Sequence, residues 1–149
     1  MKWLLGVFLC VSVALTAVSA DAAKPLRKDK ARINATYTPF RGVSVIPADM
    51  DGKRGPDWIR VGLLNADVTP GEHTFSLAST FTKGPFGGIS TSRASVAATV
   101  RAGFQYKAIG KVVGKEVQVW LIEMKSGKRI STVGSAPYST CYPNQYYHC

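Results

Sequence analysis

The stretch Asp67–Ser79 (DVTPGEHTFSLAS) constrains the fold more than any other part of the chain. Its Thr-Pro-Gly sequence predicts a tight turn, because proline presets φ at one turn position and glycine allows a positive φ at the next. After this turn the polarity alternates with a period of two, which is typical of a strand with one buried face. We therefore predict a strand over Glu72–Ser79. Its apolar face comprises His73, Phe75 and Leu77.

Short segments of the same kind recur along the rest of the chain, separated by turn-forming residues at nearly regular spacing. Because no helical pattern accompanies them, they predict an all-β fold, an antiparallel β-sandwich of about seven or eight short strands. A small open barrel is the alternative. The other predicted strands are Arg32–Tyr37, Gly42–Ala48, Trp58–Leu64, Ala94–Val100, Phe104–Val113, Glu116–Met124 and Arg129–Val133. Glu116–Met124 is apolar on both faces at its middle, as expected of a central strand covered on both sides. Thr80–Thr91 is glycine-rich and predicts a loop with exposed phenylalanines.

The first 20 residues have the pattern of a secretory signal peptide. Lys2 precedes an apolar run, and small residues follow it, so we expect cleavage near Ala20–Ala23 and a periplasmic or secreted protein. The run is shorter than the about 20 residues that span a bilayer, and we expect no transmembrane segment after cleavage. The predicted organisation is a signal peptide over 1–20, a basic flexible linker over 21–31, a sandwich domain over 32–133 and a tail over 134–149.

The mature chain is strongly basic. Of 19 Lys+Arg residues the signal removes Lys2, which leaves 18 against 9 Asp+Glu and a formal net charge of +9. Such a charge favours acidic partners, here anionic envelope polymers or lipid headgroups. Export and the lack of an aromatic-rich basic motif speak against nucleic acid. The densest cations are Lys24, Arg27, Lys28, Lys30 and Arg32, and we predict that this basic arm binds polyanions, helped by Lys107, Lys111 and Lys115.

Two cysteines remain in the mature chain, both in the tail. In an oxidising compartment we predict a disulfide between Cys141 and Cys149, with an intermolecular bridge as the alternative. Tyrosines surround these cysteines and could form a contact surface, since tyrosine offers a large area with few rotamers to restrict. The alternative is that the tail folds back and covers a sheet edge. The tyrosines are Tyr138, Tyr142, Tyr146 and Tyr147.

The sequence offers little for catalysis. It has two histidines, His73 on an apolar strand face and His148 beside the C-terminus, and no nucleophile motif accompanies them. Three acids, Asp49, Asp51 and Asp57, share a turn-rich loop whose Asp-x-Asp-Gly hints at calcium, but the glycine falls two positions early and no terminal glutamate follows. We predict a plain turn there, and no catalytic residue, cofactor or metal.

Three segments, Val68–Leu77, Val96–Gln105 and Val117–Met124, together resemble a recurring exported bacterial module. It is similar to the PEGA-like β-sandwich domains and to small envelope proteins of unknown function. The resemblance covers about half of the mature chain. It implies a sandwich fold and an envelope location, and it carries no catalytic residue.

These patterns support three hypotheses. The first is a non-catalytic, exported accessory or interaction module of the envelope whose partner is unknown, with an envelope protein or an anionic polymer as the candidates. The second is a cationic module for anionic envelope polymers or lipid headgroups. The third is a secreted hydrolase or hydrolase inhibitor. A buried His73 with no acidic or hydroxyl neighbour would exclude the enzyme.

Overall fold

The computed structural model describes residues 25–38, 42–54, 65–84 and 87–141, and these residues form strands and turns with no helix among them. The strands are β1 (Ala31–Asn34), β2 (Ser44–Met50), β3 (Lys53–Arg54), β4 (Asn65–Val68), β5 (Gly71–Thr82), β6 (Ile89–Val100), β7 (Gln105–Val113), β8 (Glu116–Glu123), β9 (Gly134–Pro137) and β10 (Ser139–Cys141). The predicted strand Trp58–Leu64 lies outside the described residues. Within the described part, no helix is long and apolar enough to cross a membrane.

The ten strands form two five-stranded sheets, which confirms the predicted all-β sandwich. The first sheet has the order β4-β1-β7-β8-β9, and the second has the order β10-β6-β5-β2-β3. Every pair is antiparallel except β1 with β7, which is parallel. A parallel pair needs a long connection, and these two strands are separated by most of the second sheet. The predicted antiparallel sandwich is confirmed, and the β1–β7 pair is its one parallel pair among the described strands.

The turn at Thr69–Gly71 and the strand after it form as predicted. Gly71 begins β5 with a φ of +136°, a conformation that L side chains rarely adopt. The strand is longer than predicted, because β5 pairs with β6 without interruption from Gly71↔Val100 to Thr82↔Ile89. Phe81 keeps the same parity as the core residue Phe75 and is 8% exposed. The long loop predicted over Thr80–Thr91 is therefore wrong at both of its ends.

Buried aliphatic and aromatic residues from both sheets make one core. Gly110 of β7 marks a close approach between the sheets, since a Cβ there would lie 2.6 Å from Val45 Cγ2 and 2.9 Å from Val43 Cγ1. The largest buried side chain is Tyr106, whose hydroxyl accepts a hydrogen bond from the backbone N–H of Arg101 at 2.9 Å.

The two sheets also meet at their edges. Thr36 and Val45 exchange backbone hydrogen bonds at 2.8 and 2.9 Å, which joins the chain after β1 to β2. On the other side, Ser131 bridges Ala98 of β6, and Arg129 bridges β8. The strand predicted over Arg129–Val133 is therefore wrong: the segment passes from one sheet to the other. These contacts join the two sheets at their edges. An open barrel, the alternative fold, would need more contacts of this kind.

The sandwich continues into the predicted tail. β9 pairs with β8 at the edge of the first sheet, and β10 pairs with β6 at the edge of the second. Edge strands expose unpaired backbone groups, and covering them is a common solution. The alternative in which the tail covers sheet edges therefore holds for 134–141, and the ordered fold runs beyond the predicted boundary at 133.

Candidate functional site

His73 is held in a hydrogen-bonded clasp between two turns. Asp51 and Gly52 form the two-residue turn between β2 and β3, with φ values of +53° and +72°, the Asp-Gly signature of a tight hairpin. This turn places Asp51 Oδ2 2.7 Å from His73 Nδ1, while His73 Nε2 lies 2.9 Å from the carbonyl oxygen of Thr69. The imidazole is 11% exposed. The clasp joins the β2–β3 turn to the β4–β5 turn.

The clasp leaves no ring nitrogen for a substrate. A backbone carbonyl oxygen only accepts hydrogen bonds, so Nε2 donates to Thr69, and Nδ1 faces a carboxylate. Hydrogen on both ring nitrogens would satisfy both acceptors at once. A general base needs a nitrogen within reach of the proton that it removes, and both nitrogens of His73 are already occupied. Asp51 is the acidic neighbour that would keep the hydrolase hypothesis open. However, the hydrogen bonds that hold both nitrogens of His73 fit a structural role.

Asp51 is held by the same clasp. Its Oδ1 accepts a hydrogen bond from the backbone N–H of Thr74 at 2.8 Å. The hydrogen bond from His73, followed by that from Thr74, lowers the pKa of Asp51. A cleft of about 510 Å³ lies beside the clasp, lined in part by Glu72 and Thr132. Besides Asp51 and His73 themselves, the cleft is lined by threonine hydroxyl groups, the exposed carboxylate of Glu72 and the apolar side chain of Ile130.

The two described acids of the calcium-like loop, Asp49 and Asp51, form hydrogen bonds within the protein. Asp49 Oδ2 accepts a hydrogen bond from Arg93 Nη1 at 3.2 Å, and Asp51 pairs with His73. Asp57 lies outside the described residues. Among those described, no group of three or more His, Cys, Asp or Glu residues could hold a metal ion.

The described residues of the basic arm do not form a single cationic surface. Arg32 is 5% exposed, and its Nε and Nη2 donate to the two carboxylate oxygens of Asp67 at 2.6 and 3.0 Å. The prediction that Arg32 contacts a polyanion is therefore wrong, because a buried, carboxylate-bound guanidinium cannot reach one. Arg27 pairs with Asp29 at the surface. Lys28 is exposed and Lys30 is partly exposed, while Lys24 lies outside the described residues.

Of the four tail tyrosines, Tyr138 lies among the described residues. Tyr138 is partly buried, its ring meeting Phe81 edge-on with centroids 5.0 Å apart. Its hydroxyl accepts a hydrogen bond from Lys83 Nζ at 2.6 Å. Tyr138 thus packs on the sandwich edge rather than standing free as a contact surface. Tyr142, Tyr146, Tyr147 and Cys149 lie outside the described residues, so the bridge from Cys141 to Cys149 stays a prediction.

The outer face of the first sheet combines apolar and cationic side chains. In the β7–β8 pair, Ile109 lies opposite Trp120, Lys107 opposite Ile122, and Lys111 opposite Gln118. These residues alternate with the core residues of both strands, so they point away from the core. All but the exposed Lys111 are partly exposed. The expectation that β8 is covered on both sides is therefore wrong. We call this surface, comprising Lys107, Ile109, Lys111, Gln118, Trp120 and Ile122, the β7–β8 face.

Further cations surround this face. Lys115 is exposed in the turn between β7 and β8, and Arg129 lies opposite Ile122 on the side away from β7. Lys107 and Lys111 lie on the same face of β7, because they are an even number of positions apart along the strand. Trp120 was not placed on the outer face from the sequence, although its alternation with Val119 and Leu121 indicates that position.

The chain matches no protein-family model, no curated protein and no solved structure. The resemblance to PEGA-like domains thus stays a prediction, and the case for a function depends on the site itself.

Proposed function

We propose that the mature chain is a non-catalytic, exported binding module that holds anionic envelope polymers or lipid headgroups on the β7–β8 face. The observation that carries this proposal is the pairing pattern on that face. Lys107 and Lys111 lie on either side of the Ile109–Trp120 pair. No lysine takes part in a salt bridge among the described residues.

Arginines and lysines are used differently in this chain. Four arginines hold a carboxylate each: Arg27 with Asp29, Arg32 with Asp67, Arg93 with Asp49 and Arg101 with Glu123. These pairs neutralise charge within the protein, so the excess positive charge of the described part resides largely on lysines. Lysine is a hydrated point charge on a flexible stem, which suits loose attraction to a polyanion better than fixed pairing.

The spacing of the two lysines supports simultaneous contact with an extended anion. Four residues along a strand place Lys107 and Lys111 about 13 Å apart. This distance exceeds the Debye length of about 8 Å at physiological ionic strength, so the lysines repel each other little. An anionic polymer or a layer of headgroups can offer both lysines a negative charge at once.

The non-catalytic part of the proposal is supported by the clasp. His73, the histidine among the described residues, has Asp51 as an acidic neighbour, and both of its ring nitrogens are engaged. Export and an envelope partner remain part of the proposal on the strength of the signal pattern of the first 20 residues.

Binding to a dextran sulfate resin and to phosphatidylglycerol vesicles at low ionic strength tests the proposal. The double variant Lys107→Gln/Lys111→Gln should lose most of the binding to both, and wild-type binding should fall steeply with added salt because the attraction is screened. The matched control Lys53→Gln/Lys83→Gln carries the same net charge and removes exposed lysines on or next to strands of the second sheet. Equal losses in both double variants, or no binding of the wild type at low salt, would contradict the proposal.

A further inference from the structure

The β7–β8 face has an apolar centre, which a purely electrostatic site for a polymer would not need. Ile109 and Trp120 form a cross-strand pair, and Ile122 lies one alternate position along β8 from Trp120. All three are partly exposed on the outer side of the sheet. Val133, just before β9, is 39% exposed, and Met124, just after β8, is 49% exposed. Apolar side chains thus run across the middle of this sheet and along one of its strands.

The cations lie around this centre rather than within it. Lys107 and Arg129 flank Ile122 on its two sides, and Lys111 lies one alternate position beyond Ile109. Among the described acids, Glu116 lies at the far end of the same side of β8, where it accepts a hydrogen bond from Ser135 and lies opposite Val113. An apolar centre with a cationic rim is complementary to a ligand that presents negative charge and hydrocarbon at the same surface.

We propose, resting on the proposed function, that the ligand of the β7–β8 face is the surface of an anionic lipid bilayer. Trp120 and Ile109 enter the interfacial region, where tryptophan is enriched because its ring is amphipathic. Lys107, Lys111 and Arg129 remain at headgroup level, with their stems along the apolar centre and their charges in water. The phosphates of anionic lipids supply the complementary charge.

A bilayer fits this face better than a free polymer for one further reason. The face belongs to a sheet, so it is broad and spans neighbouring strands about 4.8 Å apart. A bilayer surface can contact the apolar centre and the cations of the rim together. A hydrophilic polyanion would pair with the lysines and leave Ile109 and Trp120 in water.

The experiment compares binding to vesicles with binding to a polymer in the full mature chain. Vesicles of phosphatidylglycerol and phosphatidylcholine are sedimented with wild type, Trp120→Thr and Ile109→Thr, and each protein is also run on dextran sulfate resin. Threonine preserves strand propensity. The matched control is Ile89→Thr, which removes an isoleucine that is 42% exposed on the other sheet.

We expect Trp120→Thr to weaken vesicle binding about tenfold, as loss of one inserted aromatic side chain implies. Ile109→Thr should weaken it less, Ile89→Thr should leave it unchanged, and retention on dextran sulfate should be the same for all four proteins. The single variants Lys107→Gln and Lys111→Gln should each weaken vesicle binding about fivefold. A melting curve for each variant identifies any that fails to fold. If Trp120→Thr does not fold, vesicle binding by Ile109→Thr decides the question instead.

Three results would overturn the inference. Wild type that binds dextran sulfate but not the vesicles would make the ligand a polymer and leave the proposed function intact. Vesicle binding that Trp120→Thr and Ile109→Thr do not weaken would show that the apolar centre is not inserted. Binding to neither probe at low ionic strength would refute the proposed function as well.

Discussion

The part-buried ion pair between Arg32 and Asp67 joins β1 to β4, the edge strand of the first sheet. Asp67 lies directly opposite Arg32 in the β1–β4 pair, and their side chains are 27% and 6% exposed. Removing Asp67 leaves the guanidinium in a site largely closed to water. The loss of one partner from a buried pair costs about 3–5 kcal/mol, and the partial exposure of Asp67 places Asp67→Ala at about 3 kcal/mol. For a mature chain of this size, that corresponds to a Tm about 10 °C lower.

The surface pair between Arg27 and Asp29 is the matched control. It has the same residue types, with an Nη2 to Oδ2 distance of 2.9 Å, but its side chains are 60% and 62% exposed. Exposed pairs contribute little because water and salt screen them, so Asp29→Ala should leave the Tm unchanged. Thermal and urea unfolding followed by circular dichroism give both values. If the two variants lowered the Tm equally, burial would not be what gives the Arg32–Asp67 pair its effect.

Three further predictions follow from the fold and the clasp. Gly110→Ala should lower the free energy of unfolding by about 1–3 kcal/mol, since the new Cβ would meet a valine methyl of β2; an unchanged urea midpoint would contradict this. The pKa of Asp51 is lowered by His73, so its stabilising effect is present above the unfolded pKa of about 3.9 and is lost as the pH falls. Asp51→Asn should therefore flatten the dependence of Tm on pH below that value, and an identical acid limb in both proteins would refute the assignment. The predicted Cys141–Cys149 bridge should make the mature chain gain two hydrogens in mass on reduction, and a dimer lost on reduction would instead indicate an intermolecular bridge.

Local signals predicted the parts of the fold that depend on neighbouring residues. Proline and glycine set the turn at Thr69–Gly71, and alternation gave the strand after it. The same alternation, followed past Ser79 to Phe81 and Thr82, would have lengthened this strand. The glycines that follow Thr82 favour a loop, so the predicted strand ended early. In the structure, β5 pairs with β6 along its full length and continues to Thr82.

Other features depend on residues that only the fold brings together. The parallel pairing of β1 with β7 joins residues such as Ile33 and Tyr106, and nothing local in either strand specifies a partner so distant. The clasp joins Asp51 to His73 from two different turns. Arg32 was assigned to the basic arm because its neighbours in sequence are basic, whereas its environment is set by Asp67 on the adjacent strand.

The contrast between arginine and lysine on this protein leads to a last prediction at the β7–β8 face. Lys111 lies opposite Gln118, which places Glu116 at the diagonal position of the same face, within reach of a long side chain. An arginine at 111 would present a planar fork that pairs with a carboxylate in a bidentate manner, so Lys111→Arg should be captured by Glu116 and weaken vesicle binding about fivefold, like the loss of one cation. Lys107→Arg is the matched control, because Lys107 lies between Asn34 and Ile122 and should keep its charge free. Equal vesicle binding by the two variants in a sedimentation assay would show that the face responds to charge alone, whichever cation carries it.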